Sequence, residues 1–341
     1  MRISIVGAGA IGTTIAVRLA MADHHVSVLA RGATLQAIRE RGLRLHDLEG
    51  THTARPAASD DPAALGPQDI VFVCTKTTAL AEVLPLLGPM LGPDTIVVPA
   101  INGIPWWFSD GSSGSSSGGA GAQPERRPLA TLDPDGVLAR AVPAAQLVGC
   151  VVYITAETLA PGVVRANNPH RLIVGEIDHR ASPRAQQLAV VLSGAGIATE
   201  ATASIRDVVW TKVLSNLSSN PLSVLTGATL EQIYGLPSMR PLVKKILGEA
   251  MLTAAAYGAR LPFDPDTFIA RGAGMGAVRT SMLQDYEAGR PLELAAIGDA
   301  VLELAARKGI PMETTADIIA LARLRSERRE PGAATLPSRT E

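Results

Sequence analysis

Two clusters of residues have the types and spacing that chemistry requires. The first is the run Gly7-Ala8-Gly9-Ala10-Ile11-Gly12, which follows a short β-rich segment, residues 2–6. Gly7 permits a tight turn, Gly9 lets the backbone approach a pyrophosphate, and Gly12 lets a helix pack closely on a strand. A helix that begins here directs its amide N–H groups and its dipole at phosphate. The run therefore predicts a dinucleotide site.

The second cluster is Lys212, Asn216 and Asn220, which are spaced four residues apart in a segment with helical apolar periodicity. At 3.6 residues per turn, the three side chains lie on one face of a helix. A solvent-facing stripe is one interpretation, and a ligand-facing stripe is the other. Lysine is a suitable proton donor because burial lowers the pKa of its amine. Pro221 follows at once and predicts a new turn or a kink.

A carboxylate, Glu293, begins a predicted apolar helix over 294–306. A negative charge at that point suits the helix dipole, so capping alone explains it. A partnership with Lys212 explains it equally well, and the pattern leaves both interpretations open.

The elements around the glycine run form a strand, a turn, a helix over 13–22 and a second strand over 26–29. This βαβ unit favours a parallel sheet. The second strand is followed by Arg31, where NAD-binding proteins usually carry an acidic residue. A guanidinium there suits a 2′-phosphate, so the sequence favours NADPH and NADP+ over NAD(H). A solvated loop residue is the alternative.

Two further polar residues follow predicted buried strands. Lys76 comes after the strand at 69–74, and Asn102 comes after the strand at 96–99. Because ligands bind outside the carboxyl ends of strands in open α/β sheets, both are candidate site residues. Segments 148–155, 163–164 and 171–174 are predicted to complete this sheet.

An aromatic pair, Trp106-Trp107, precedes a Gly/Ser-rich stretch at about 109–127 that predicts a flexible insertion. The pair fits a lid over the cofactor, an anchor for a long loop, or an oligomer contact.

Composition excludes several classes of function. The 341 residues carry 31 basic and 32 acidic side chains, and 3% of residues are aromatic, which argues against nucleic-acid binding. The sequence contains no run of 18 apolar residues, the length needed to span a membrane, and no signal peptide is recognisable. Two cysteines, Cys74 and Cys150, are too few for a disulfide framework or a zinc site, so no metal is predicted. We expect a cytoplasmic protein.

Taken together, these residues resemble the ketopantoate reductase (2-dehydropantoate 2-reductase) family across nearly the whole chain. The most specific element is Lys212-x-x-x-Asn216-x-x-x-Asn220-Pro221. The other matching elements are Gly7–Gly12, Arg31, Thr75-Lys76-Thr77, Asn102-Gly103, Trp210-Thr211, Ser281-Met282-x-Gln284-Asp285 and Glu293.

The resemblance implies an NADP-dependent oxidoreductase that reduces 2-dehydropantoate to (R)-pantoate in pantothenate and coenzyme A biosynthesis. It implies an α/β fold, with an N-terminal Rossmann domain and a C-terminal all-helical domain, and a site in the cleft between them. Lys212 and Glu293 match catalytic positions. Substrate-site positions are matched by Asn102, Asn216, Asn220 and Ser281, and cofactor positions by residues 7–12, Arg31, Lys76 and Asn102.

The sequence departs from the family pattern in two places. Val278 and Leu230 stand where the family commonly has asparagine. Each lost amide removes hydrogen bonds that contribute to specificity, so another 2-oxo acid is an alternative substrate. A non-catalytic NADPH-binding sensor is a third interpretation, against which Lys212 argues.

The predicted organisation is a cofactor domain at 1–203, a helical substrate and dimerisation domain at 204–330, and a disordered tail at 331–341. Apolar helices near the C-terminus and the Trp pair suggest a homodimer, although the spacing of residues does not prove one.

Overall fold

A computed structural model describes residues 1–109 and 128–329. The predicted tail and, apart from residue 109, the predicted insertion lie outside this range. The chain divides into two compact units, Met1–Val208 (the N-terminal unit) and Val209–Glu341 (the C-terminal unit). Across the described residues, no helix combines the length and the apolar character needed to cross a membrane.

Strands occur in the N-terminal unit. They are β1 Arg2–Val6, β2 His25–Leu29, β3 Leu43–Asp47, β4 Gly50–Ala54, β5 Ala57–Ser59, β6 Gln68–Val73, β7 Leu91–Pro99, β8 Val148–Val152, β9 Ala156–Ala160, β10 Val163–Ala166, β11 Arg171–Glu176 and β12 Ala198–Ala201.

Helices occur in both units, and one of them runs through the division at Val208. They are α1 Ala10–Met21, α2 Gly32–Arg41, α3 Pro62–Leu65, α4 Leu80–Val83, α5 Val137–Ala141, α6 Pro183–Gly194, α7 Ile205–Thr226, α8 Leu230–Gly235, α9 Arg240–Ala256, α10 Pro265–Ala273, α11 Ser281–Glu287, α12 Ala300–Arg307 and α13 Glu313–Glu327. Short 3₁₀ turns cover Thr77–Ala79, Leu84–Met90, Trp106–Ser109 and Ala144–Gln146, and a π-helix covers Ala295–Asp299.

The main sheet is parallel throughout and has the order β5-β2-β1-β6-β7. In the register, Ile5 lies opposite both Val28 and Phe72, and all three side chains are fully buried. The strands of this parallel sheet are largely apolar, which is typical of a sheet whose two faces are both covered by helices. The carboxyl ends of the five strands therefore meet at one edge, and their amino ends meet at the opposite edge.

The later strands do not complete this sheet, and that prediction was wrong. Antiparallel β8 and β11 join β12 in a three-stranded sheet, while β10 joins a four-stranded sheet of order β4-β3-β10-β9. One bridge, Val97 to Leu147, connects the start of this region to β7. Apolar alternation predicts a strand and its buried face, but it does not specify the partner strand.

Local sequence accounts for several helix boundaries. Ser182 caps α6 by accepting a hydrogen bond from Ala185 N, and Asp264 caps α10 by accepting one from Thr267 N. Each cap is followed by proline, which has no N–H to leave unsatisfied in the first turn. The described part of the C-terminal unit consists of helices and their connections, and its first helix, α7, begins in the N-terminal unit. The predicted class, a Rossmann-type unit followed by a helical unit, is confirmed.

Candidate active site

The glycine turn after β1 lies at the carboxyl edge of the parallel sheet. Gly7 has φ +95°, and a Cβ there would lie 2.7 Å from Cγ2 of Thr75. A Cβ on Gly12 would lie 2.0 Å from the Gly7 carbonyl oxygen. A Cβ on Gly9 would meet nothing within 4 Å. Two glycines are therefore required by the fold itself, and the third leaves an open approach to the backbone.

The helix that follows the turn is built to receive an anion. Gly9 is the N-cap of α1, no side chain caps it, and its first turn contains no acidic residue. The first amides of a helix have no partner within it, so they and the dipole favour negative charge. Thr13 Oγ1 donates to the Ala8 carbonyl at 3.2 Å and fixes the turn from behind. These observations fit a dinucleotide pyrophosphate held by residues 7–12.

The other predicted cofactor residues lie at the same edge. Arg31 follows β2, Lys76 follows β6 and Asn102 follows β7, and these strands flank β1 or lie one strand further out. Arg31 and Lys76 are exposed, and Asn102 is half-buried. The sequence pattern gives no signal for Glu82, whose carboxylate lies 2.5 Å from the Arg31 guanidinium. A 2′-phosphate would therefore compete with Glu82 for Arg31.

The aromatic segment is an internal anchor. Trp106, Trp107 and Phe108 are each at most 3% exposed. The Arg206 guanidinium lies 4.7 Å from the Phe108 ring centroid and 5.9 Å from that of Trp107, and it donates to the Phe108 carbonyl. Trp107 also packs against Gly149, where a Cβ would lie 3.1 Å from the indole. Such burial supports the anchor interpretation and leaves the indoles no surface for a lid or a subunit contact.

The polar face of α7 is buried. Asn216 and Asn220 are 8% and 3% exposed, and Lys212 is half-buried. Burial lowers the pKa of the Lys212 amine below the ordinary value for lysine. The solvent-facing interpretation of this stripe was therefore wrong.

The amide of Asn220 is available to a ligand. Its Oδ1 accepts a hydrogen bond from Ser219 Oγ at 3.2 Å, whereas its buried Nδ2 has no partner among the described residues. Buried donors in proteins are nearly always paired, so an unpaired one points to an absent acceptor. The new turn that is one of the two predictions at Pro221 does not occur, because α7 continues through Pro221 to Thr226.

The start of α11 is attached to α7 by a pair of hydroxyls. Thr280 caps α11 by accepting from Leu283 N at 3.1 Å, and its Oγ1 lies 2.6 Å from Ser223 Oγ. Ser281, the first residue of α11, is exposed. The structure thus brings Ser281 near the end of α7 that carries Asn220.

The predicted carboxylate belongs to the same neighbourhood. Glu293 is 5% exposed and directly precedes Leu294, which packs in one apolar cluster with Val224 of α7 and Met282 of α11. The sequence predicted one regular helix after Glu293, but the structure has a π-helix over Ala295–Asp299 before α12. Short π segments often occur at functional sites.

Comparison with known proteins agrees with both halves of this arrangement. The family model for ketopantoate reductase PanE/ApbA matches residues 3–105, and the model for its C-terminal domain matches residues 204–326. The chain belongs to the ketopantoate reductase family. The residues that carried the resemblance lie in these two segments.

Individual relatives cover almost the whole chain. A 2-dehydropantoate 2-reductase of Mesorhizobium japonicum is 37% identical over 95% of this chain and 97% of its own length. A crystal structure from Ralstonia solanacearum, provisionally described as a ketopantoate reductase, has 39% identity and a TM-score of 0.89, and the alignment covers 96% of this chain and 98% of that one. The 2-dehydropantoate 2-reductase of Geobacter metallireducens has 28% identity and a TM-score of 0.82, covering 95% and 99%. Family membership identifies the chain as a dinucleotide-dependent oxidoreductase.

The two departures from the family pattern lie side by side in the structure. Leu230, the first residue of α8, donates its backbone N–H to the Val278 carbonyl at 2.9 Å. Leu230 is buried and Val278 is half-buried. Two amides are thus replaced by apolar side chains at one place, which makes that part of the C-terminal unit less polar.

Proposed function

We propose that this ketopantoate reductase family member reduces 2-dehydropantoate to (R)-pantoate with NADPH. The observation that carries the proposal is the buried polar face of α7, where Lys212 has a lowered amine pKa and Asn220 has an unpartnered buried donor. A non-catalytic sensor has no need for a lysine of this kind. Residues 1–203 serve as the cofactor domain and residues 204–330 as the substrate domain in this proposal.

The glycine turn, residues 7–12, holds the pyrophosphate through backbone amides at the start of α1. Arg31 binds the 2′-phosphate after exchanging its contact with Glu82. Lys76 and Asn102 lie beside the remaining part of the cofactor. When bound, NADPH supplies the hydride that reduces the carbonyl carbon.

Lys212 acts as the general acid in this proposal. Negative charge develops on the C2 carbonyl oxygen as the carbon is reduced, and an ammonium group stabilises that charge and then donates its proton. Burial favours the neutral amine, so the proton leaves more readily than from an exposed lysine. Glu293 holds either the ammonium group or the hydroxyl of the substrate.

Substrate orientation falls to the neutral polar groups. Asn220 Nδ2 donates to an oxygen of the substrate, which satisfies a buried donor on the polar face of α7 that has no partner among the described residues. Asn216, Ser281 and Asn102 provide further hydrogen bonds to the carboxylate and to the polar tail.

The test is NADPH oxidation at 340 nm with purified protein and a panel of 2-oxo acids that includes ketopantoate. We expect ketopantoate to have the highest kcat/KM and NADPH to be preferred over NADH. The apolar pair Leu230 and Val278 favours a second candidate, a less polar 2-oxo acid. A panel in which such an acid is turned over and ketopantoate is not would contradict the first proposal and support the second.

We also propose a cytoplasmic homodimer. Both cysteines are free thiols, which suits a reducing compartment. The neighbouring helices α9 and α13 expose Leu252, Leu321 and Leu324, and an association that covered these side chains would bury apolar surface. Light scattering on protein eluted from a size-exclusion column measures its mass in solution. A monomeric mass at micromolar protein concentration would refute the homodimer.

A further inference from the structure

A cavity of about 610 Å³ lies at the amino edge of the parallel sheet. The first residues of four neighbouring strands line it: Arg2 of β1, His25 of β2, Ala57 of β5 and Gln68 of β6. The glycine turn lies at the carboxyl edge, and a five-residue strand spans about 16 Å. This amino-edge cavity is therefore separate from the proposed cofactor site. Its volume is in the range of small-molecule sites.

The polar lining of the cavity is basic. Arg2, Arg55, His24 and His25 contribute to it, and no lining residue carries a carboxylate. Burial lowers the pKa of His24, and the N-terminal amine acts in the same direction while the Asp23 carboxylate acts in the opposite one. The fixed positive charges of the lining are therefore the guanidinium groups of Arg2 and Arg55, and a bound anion would offset them.

The two guanidinium groups are not neutralised by the protein. Arg2 donates to the Leu65 carbonyl at 3.2 Å, and Arg55 donates to the Glu40 carbonyl at 3.4 Å. Among the described residues neither group forms an ion pair with a carboxylate within 4.0 Å. A guanidinium has five N–H donors, and one carbonyl accepts from only some of them. The other N–H groups of Arg2 and Arg55 can therefore donate to an oxyanion.

The wall also includes apolar side chains, those of Met21, Val26 and Leu65, beside the polar Ser27, Thr53 and Gln68. We propose that the amino-edge cavity is a second ligand site, for a small organic anion whose carboxylate or phosphate binds Arg2 and Arg55 and whose apolar body packs on this wall. Apolar side chains combined with a few polar and charged groups are the usual composition of a small-molecule site. The proposal does not depend on which 2-oxo acid is reduced.

Isothermal titration of the full chain, saturated with NADP+ so that the carboxyl edge is filled, tests the proposal. Benzoate and phenyl phosphate are the anionic probes, and benzyl alcohol is the neutral probe of similar shape. We expect saturable binding of at least one anion, about tenfold tighter than benzyl alcohol, since charged hydrogen bonds are the strong ones. The tighter anion of the two identifies the head group.

Two variants test whether the anion binds in the amino-edge cavity. Arg55→Gln removes one charge and should weaken the anion about tenfold, whereas Arg44→Gln removes the same charge from an exposed position on β3 and should change nothing. Ala64→Trp fills the cavity from an exposed position that lines it, and keeps every charge. Ala64→Trp should also weaken binding of the anion, and it tests the same site if Arg55→Gln fails to fold. Absence of saturable binding to about 10 mM, or anion binding that neither Arg55→Gln nor Ala64→Trp alters, would overturn the proposal.

Discussion

In the proposed function, the glycine turn after β1 and the polar face of α7 recognise their ligands in opposite ways. The turn has almost no side chains and works through backbone amides, a positive φ and the space left by absent Cβ atoms. The proposed role of the α7 face depends on side chains, namely two amides that packing buries and an amine that is half-buried. A backbone site depends on local geometry, whereas a side-chain site depends on what the surrounding helices bury. Each can therefore be damaged without damage to the other.

The largest expected effect is on the chemistry at α7. Lys212→Ala should lower kcat by about 10²- to 10⁴-fold, the range for a positioned general acid. Steady-state NADPH oxidation with ketopantoate measures this change, and circular dichroism checks that the helices are intact. Turnover near that of the wild type would exclude Lys212 as the acid.

The same lysine predicts a pH dependence. Only the protonated amine can donate, and burial lowers its pKa, so kcat should fall as pH rises through a value below the ordinary 10.4 or so of lysine. The fall should be about tenfold per pH unit beyond that value. A kcat profile from pH 6 to 10 measures it, and Lys212→Arg is the control because arginine does not titrate there. An alkaline limb that is unchanged in Lys212→Arg would assign the titration to another group.

Two glycines in the turn offer a matched pair of identical substitutions. Gly12→Ala places a methyl group 2.0 Å from a backbone carbonyl and should destabilise the fold by about 2 kcal/mol or more. Gly9→Ala enters open space and should cost about 1 kcal/mol at most, while it obstructs the approach of the pyrophosphate. Thermal unfolding separates the two, and equal losses of stability would show that the positions are not distinct.

These contrasts also show how far the sequence alone could go. The glycine turn could be predicted because the local backbone geometry requires glycine. The polar face of α7 could be predicted because the helical repeat determines which residues share a face. Glu82 beside Arg31, Arg206 on the aromatic segment and the hydroxyl pair Ser223–Thr280 could not be predicted, because each contact joins residues 51 or more positions apart. The three separate sheets and the π-helix were missed for the same reason, since partner choice and helix register depend on packing.

A smaller effect is expected at Arg31. Arg31→Ala should weaken NADPH by roughly one to two decades and leave NADH nearly unchanged, as for a lost charged hydrogen bond. Fluorescence titration of both cofactors measures this. Arg39→Ala, another exposed arginine of the N-terminal unit, is the control, and Glu82→Gln should leave NADPH binding equal or tighter. Equal weakening of NADPH and NADH binding would show that Arg31 does not bind the 2′-phosphate.

The smallest expected effect is at Asn220. Asn220→Leu keeps the volume of the side chain but removes the unpartnered donor, so KM for the 2-oxo acid should rise about tenfold. The melting temperature should change little, because Nδ2 has no partner within the described protein. A large loss of stability with an unchanged KM would mean that the amide serves the fold rather than the substrate.

The most direct test of the division between backbone and side-chain recognition is the NADPH dissociation constant of Gly9→Ala and of Lys212→Ala, measured without substrate by fluorescence. We expect Gly9→Ala to weaken NADPH about tenfold or more. Lys212→Ala should stay within about twofold of the wild type despite its loss of turnover. If Lys212→Ala weakens NADPH binding as much as Gly9→Ala does, the glycine turn and the polar face of α7 do not act separately, which would contradict the proposed division.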